Sequence, residues 1–92
     1  MSNLFLIQSN FAATPQALLK LQSLYSDNDQ IVLMGDAVQF VHHFFLQQLK
    51  AIYILQNDSD LLLNLNPHNL HVIEYHAFAE LCLQHQRCIS LK

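Results

Sequence analysis

IVLMGDAVQF, residues 31–40, sets four contiguous apolar residues against a Gly35-Asp36 junction and then a second apolar run at helical spacing. A continuous apolar strand belongs to a sheet covered on both faces, as parallel sheets are. A strand that turns at once into a helix is half of a βαβ crossover. Gly35 supplies the flexible turn. Asp36 supplies the carboxylate that a helix N-terminus favours, stabilising by roughly 0.5–2 kcal/mol. Strand tips are also where open α/β sheets hold ligands, so Asp36 has a chemical reading beside its structural one.

The same alternation runs in both directions from this stretch. Asn3 to Ile7 (NLFLI) has strand length and is followed by the turn residues Ser9-Asn10. Thr14 offers a hydroxyl N-cap with Pro15 at the first helical position, and Leu18, Leu21 and Tyr25 recur at helical spacing up to Ser26-Asp27-Asn28-Asp29. After Gly35-Asp36 the pattern predicts a helix over about Ala37 to Leu49, then a third strand at Ala51 to Leu55 (AIYIL). Asn57-Asp58-Ser59 marks a turn before a short helix over Asp60 to Leu65, broken by Asn66-Pro67. His71 to Ile73 reads as strand, Tyr75 to His85 as helix and Cys88 to Leu91 as an edge strand. Strands alternating with helices predict a three-layer α/β/α sandwich with a mainly parallel four- to five-stranded sheet.

Ninety-two residues are expected to form a single domain, because a chain of this size buries only roughly 60–65% of its unfolded surface and cannot divide its core. With 52% hydrophobic and 12% charged residues it is too apolar to be disordered. No apolar run approaches the roughly 20 residues of a membrane span, and no signal sequence is visible, so a cytoplasmic location is expected. Lys20, Lys50, Arg87 and Lys92 are the only basic residues and the formal charge is -3, too little positive charge for one chain to bind nucleic acid directly.

The tips of the predicted strands carry Asp36, Asp58 and Glu74, an acidic set that invites a small-ligand or phosphoacceptor domain. No lysine stands in a position to pair with a phosphoryl group before Lys92, and one glycine in the whole chain excludes a phosphate-cradling loop. The six histidines include His42-His43 and His68-x-x-His71. Neighbours on a helix diverge by about 100°, however, and the second pair brackets a change of direction, so no metal site and no cofactor is expected. Cys82 and Cys88 fit neither a disulfide framework nor a zinc motif and read as buried free thiols. Cys88 follows Arg87, whose charge would favour a thiolate, and this keeps either cysteine open as a persulfide carrier.

On a wheel of about 100° per residue, the predicted helix after Asp36 places Ala37, Val38, Phe40, Val41, Phe44, Phe45 and Leu49 over about half its circumference. A core helix in a compact domain needs a narrower stripe, so Phe40, Val41, Phe44 and Phe45 are expected to form an interface with another subunit.

With these motifs in place the chain resembles the DsrH/TusB family, small subunits of the sulfur-relay complexes of the DsrEFH/TusBCD type. The likeness is carried by LFLIQSNF (4–11), IVLMGDAVQF (31–40), AIYILQND (51–58) and VIEYHAFAELCLQHQRCISL (72–91), the last holding Glu74, Tyr75, Phe78, Leu81 and His85. The resemblance implies an α/β sandwich. It implies a non-catalytic, accessory subunit supporting 2-thiouridine formation at the tRNA wobble position, or a subunit in dissimilatory sulfur oxidation. It also implies TusC/DsrF-like and TusD/DsrE-like partners in a heterohexamer, with a homo-oligomer open to the isolated chain. The principal persulfide cysteine is then the TusD/DsrE-like partner's. Three features depart from the family pattern: no cysteine occurs between Pro15 and Tyr25, Gly35 precedes Asp36 where the usual order is Asp then Gly, and no tryptophan is present.

Overall fold

The computed structural model describes residues 2–62 and 67–92. Five strands, β1 (Asn3–Ile7), β2 (Gln30–Leu33), β3 (Ile52–Leu55), β4 (Leu70–Ile73) and β5 (Arg87–Leu91), form one sheet in the order β4-β3-β2-β1-β5. Every neighbouring pair is parallel. Among the described residues three α-helices accompany it: α1 (Thr14–Leu24), α2 (Phe44–Gln47) and α3 (Tyr75–Gln84). Two 3-10 segments, Gly35–Phe40 and Gln56–Leu61, complete the crossovers.

The strand order explains the layers. From β1 to β4 each crossover advances one strand in the same direction, and a common hand puts every connecting segment on one face. That face holds the larger core, in which Phe5, Ile7, Ile31, Leu33, Ile52 and Ile54 of the sheet meet Ala17, Leu18, Leu21, Val38, Val41 and Leu46. The return from β4 to β5 runs backwards across the sheet, so the same hand sends α3 to the opposite face. There Leu81 closes on Leu4 and Val32, with Phe78 and Cys82 beside it. The expected α/β/α sandwich is present, with a sheet that is parallel throughout. Its two faces are covered unequally, since one ten-residue helix leaves Leu6, Met34, Tyr53 and Ile73 only half-buried.

The strand predictions stand within a residue or two, and β5 is an edge strand as expected. The helix predicted over Ala37 to Leu49 is replaced by the 3-10 segment, a turn and the single-turn α2. Valine, histidine and phenylalanine crowd residues 38–45, all with mediocre helix propensity, so nothing local holds a continuous helix. His43 takes an extended backbone and its Nδ1 accepts the Phe45 amide at 3.2 Å, restarting the chain as α2. In place of the short helix predicted over Asp60 to Leu65, a 3-10 segment ends at Leu61 and Leu62 is extended, while residues 63–65 of that prediction lie outside the described residues.

Thr14 is not the N-cap of α1. The helix starts at Thr14 itself with Ala13 as N-cap, which has no side-chain cap, and in the turn before it Asn10 Oδ1 accepts the Ala13 amide at 2.8 Å. The Thr14 hydroxyl donates to the Asn10 carbonyl at 2.6 Å. Having given its one proton there, Thr14 Oγ1 accepts from buried Ser9 at 2.8 Å. Asn69, also buried, performs a similar service at the far edge. Its Nδ2 donates to the carbonyls of Leu46 and Leu49, both at 2.9 Å, and satisfies the end of α2.

Candidate functional site

Gly35 adopts φ 58, the left-handed region in which a Cβ is strained. Its amide donates to Asp58 Oδ2 at 3.1 Å, joining the tips of β2 and β3. Asp36, the second residue of the 3-10 segment, is an exposed first-turn carboxylate, and the structural part assigned to it falls instead to Asp58, which takes the Gly35 amide. A Cβ on Gly35 would meet nothing within 4 Å, which leaves backbone strain as the whole penalty. Gly35→Ala is therefore expected to cost about 1–2 kcal/mol in unfolding free energy. Urea titration should show a lower midpoint at unchanged slope.

The acids at the strand tips do not converge. Asp58 is engaged by Gly35, and Glu74 pairs at 3.3 Å with His76, both side chains largely in solvent. Among the described residues no three His, Cys, Asp or Glu side chains come together as a metal site. The histidines serve separate purposes. His71 lies against Tyr53 with ring centroids 5.4 Å apart, and His43 caps α2. His85 is held on both sides, its Nε2 at 2.6 Å from Gln30 Oε1 and its Nδ1 at 3.1 Å from Ser2 Oγ. Gln30 Nε2 in turn donates to Tyr53 Oη at 3.1 Å. Because Gln30 Oε1 can only accept, Nε2 of His85 carries the proton.

With the long helix broken, its four predicted interface residues separate. Val41 is buried in the larger core. Phe45 is half-buried, packed edge-on against Tyr25 with centroids 5.9 Å apart. Phe40 is half-buried under Phe11, whose ring is centred 4.9 Å away and is 56% exposed. Phe44 stands in solvent at 79% exposure. Phe11 precedes the helical pattern of α1 and carried no periodic signal, so its place beside Phe40 was not readable from spacing.

The two cysteines also depart from expectation. Cys82 is half-buried on α3 and Cys88 is exposed on β5, so the reading of both as buried thiols fails for Cys88, although both are free. Edge strand β5 has only the one neighbour, and Cys88 lies on the thinly covered face. Strand alternation turns Arg87 to the other face, away from the Cys88 thiol. Cys82 is the nearer group instead. Its thiol is pushed up by burial first, and then by the neighbouring Cys88 side chain.

These features define a small, parallel α/β subunit without a convergent catalytic constellation among its described residues, but with large apolar side chains left in water. The chain belongs to the DsrH-like family, whose pattern ("DsrH like protein") matches residues 9–88, and so to the subunits of multi-subunit sulfur-relay complexes. The fold is shared with a solved structure, the crystal structure of the ychN protein from E. coli. The TM-score is 0.62 at 12% identity, covering 99% of this chain and 100% of that one. No curated protein sequence matches the chain. Among the described residues no helix is long and apolar enough to cross a membrane.

Proposed function

We propose that the chain is a non-catalytic subunit that completes a TusBCD-type sulfur-relay complex supporting 2-thiouridine formation at the tRNA wobble position. The observation that carries this reading is Phe44, in solvent at 79% exposure on the helical layer, in a chain with too few charges to keep such a surface free. A side chain of that size gains roughly 1.5–3 kcal/mol on full burial, which a partner supplies and this fold does not. TusC/DsrF-like and TusD/DsrE-like subunits are the partners that family membership favours. The partner brings the sulfur-carrying cysteine, and this chain brings shape and apolar area.

Co-expression with TusC-like and TusD-like chains is the direct test. Equimolar co-elution of all three in one particle is the expected outcome, together with loss of wobble 2-thiouridine from total tRNA when this chain is deleted. A chain that elutes alone beside an assembled pair of the other two would end the reading. An assembled complex with unchanged tRNA thiolation would move it to another sulfur pathway.

A further inference from the structure

Cys82 and Cys88 are brought together by the reversal between α3 and β5. Cys88 is directly opposite Leu4 in the β1–β5 register, and Cys82 packs into the small core built on Leu4. The reversal consists of His85 and Gln86 alone, and it is fastened three times to neighbouring segments. His85 bonds to Ser2 and Gln30, and the Gln86 amide donates to the Ser2 carbonyl at 3.2 Å. Both cysteines are therefore held beside Leu4 on the same face of the sheet, with no loop conformations to search. Their surroundings differ, because Cys88 faces solvent while Cys82 is shielded by the helix.

We propose that Cys82 and Cys88 form an oxidation site for small hydroperoxides, in which Cys88 takes the oxygen and Cys82 closes a disulfide between α3 and β5. In the first step the Cys88 thiolate attacks one peroxide oxygen and the O–O bond breaks. The remaining oxygen leaves as water or an alcohol, and Cys88 becomes a sulfenic acid. In the second step the Cys82 sulfur attacks the sulfenic sulfur, the S–O bond breaks, and water leaves with the Cys82 proton. The thiol pair loses two electrons and two protons, and one peroxide is reduced. The order follows from access: oxidation requires exposure, and resolution requires a thiol already in place. Burial pushes the Cys82 thiol up, which disfavours it as the group that attacks the peroxide first.

The test treats the reduced full chain with equimolar hydrogen peroxide and maps peptides without reduction. Wild type is expected to yield one intrachain Cys82–Cys88 disulfide, with the mass of two hydrogens lost and no dimedone adduct. In Cys82→Ser the sulfenic acid has no internal partner, and dimedone is expected to label Cys88. In Cys88→Ser the remaining thiol is expected to oxidise at least about 10-fold more slowly than Cys88 does in wild type. Because C82S and C88S alter different environments, misfolding of one leaves the other to decide. Interchain Cys88–Cys88 dimers, or Cys88 sulfinic acid beside a free Cys82, would overturn the proposal. So would equal oxidation rates in C88S and wild type.

Discussion

Asp29→Ala is expected to lower the unfolding free energy by about 3 kcal/mol, since a bond to a charged acceptor contributes roughly 1.5–3 kcal/mol and stranding its donors adds a desolvation penalty. Asp29 is 4% exposed, and its carboxylate is a junction between three segments. Oδ1 accepts the Asn3 amide at the start of β1 at 2.8 Å, and Oδ2 accepts the Ser26 amide at 2.9 Å and the Ser26 hydroxyl at 3.2 Å. Alanine removes all three bonds at once and leaves the Asn3 and Ser26 amides without that acceptor. In a domain this small the loss corresponds to a melting midpoint lower by about 10–20 °C, which calorimetry would read directly. Asp29→Asn keeps one acceptor oxygen and is expected to fall between the two.

The same residue shapes the alkaline limb of stability. The Tyr25 phenol is pushed above its ordinary 10.0 by burial first, then by the charges of Asp29 and Asp27. An acid whose folded value is raised stabilises the fold below its unfolded value and loses that contribution as pH rises through the folded one. Stability is thus expected to decline above pH 10, and less steeply in D29A, where one of the two charges is gone.

Asp29 illustrates which part of the molecule was legible beforehand and which was not. The strands were legible because a parallel strand buried on both faces is apolar throughout, a signal that survives without any knowledge of its neighbours. IVLM and AIYIL needed no partner to be read. Asp29 reads as part of a turn run and stands just after a turn, but its burial depends on Asn3, as that of Asn69 depends on Leu46, far away along the chain. Polar burial is a property of the pair, and a single residue does not announce it. The Ala37 to Leu49 region failed for a related reason. Its apolar residues fit a helical period, whereas the chain spends them in two short turns that satisfy burial separately. The cysteine contact was hidden because six residues spanning a helix end, a reversal and a strand start match no short-range motif.

Phe44→Asp is expected to separate folding from assembly. Phe44 contributes little to the core at 79% exposure, so the variant's unfolding free energy is expected to stay within about 0.5 kcal/mol of wild type. Its affinity for the TusC-like and TusD-like pair is expected to fall by at least about 2 kcal/mol, near 30-fold, as the loss of an aromatic anchor does. Val41→Ala makes the reciprocal control. Val41 lies in the core, and its truncation is expected to lower stability while leaving the affinity of the folded fraction unchanged. Titration calorimetry with the purified pair, beside denaturation of each variant, distinguishes the two effects. Undiminished affinity in F44D would shift the contact to the other layer, where Tyr75 and Leu83 of α3 are also exposed. Leu83, 86% exposed on the outer side of α3, stands above the thinly covered face of the sheet, and Leu83→Asp would then be the substitution that breaks assembly.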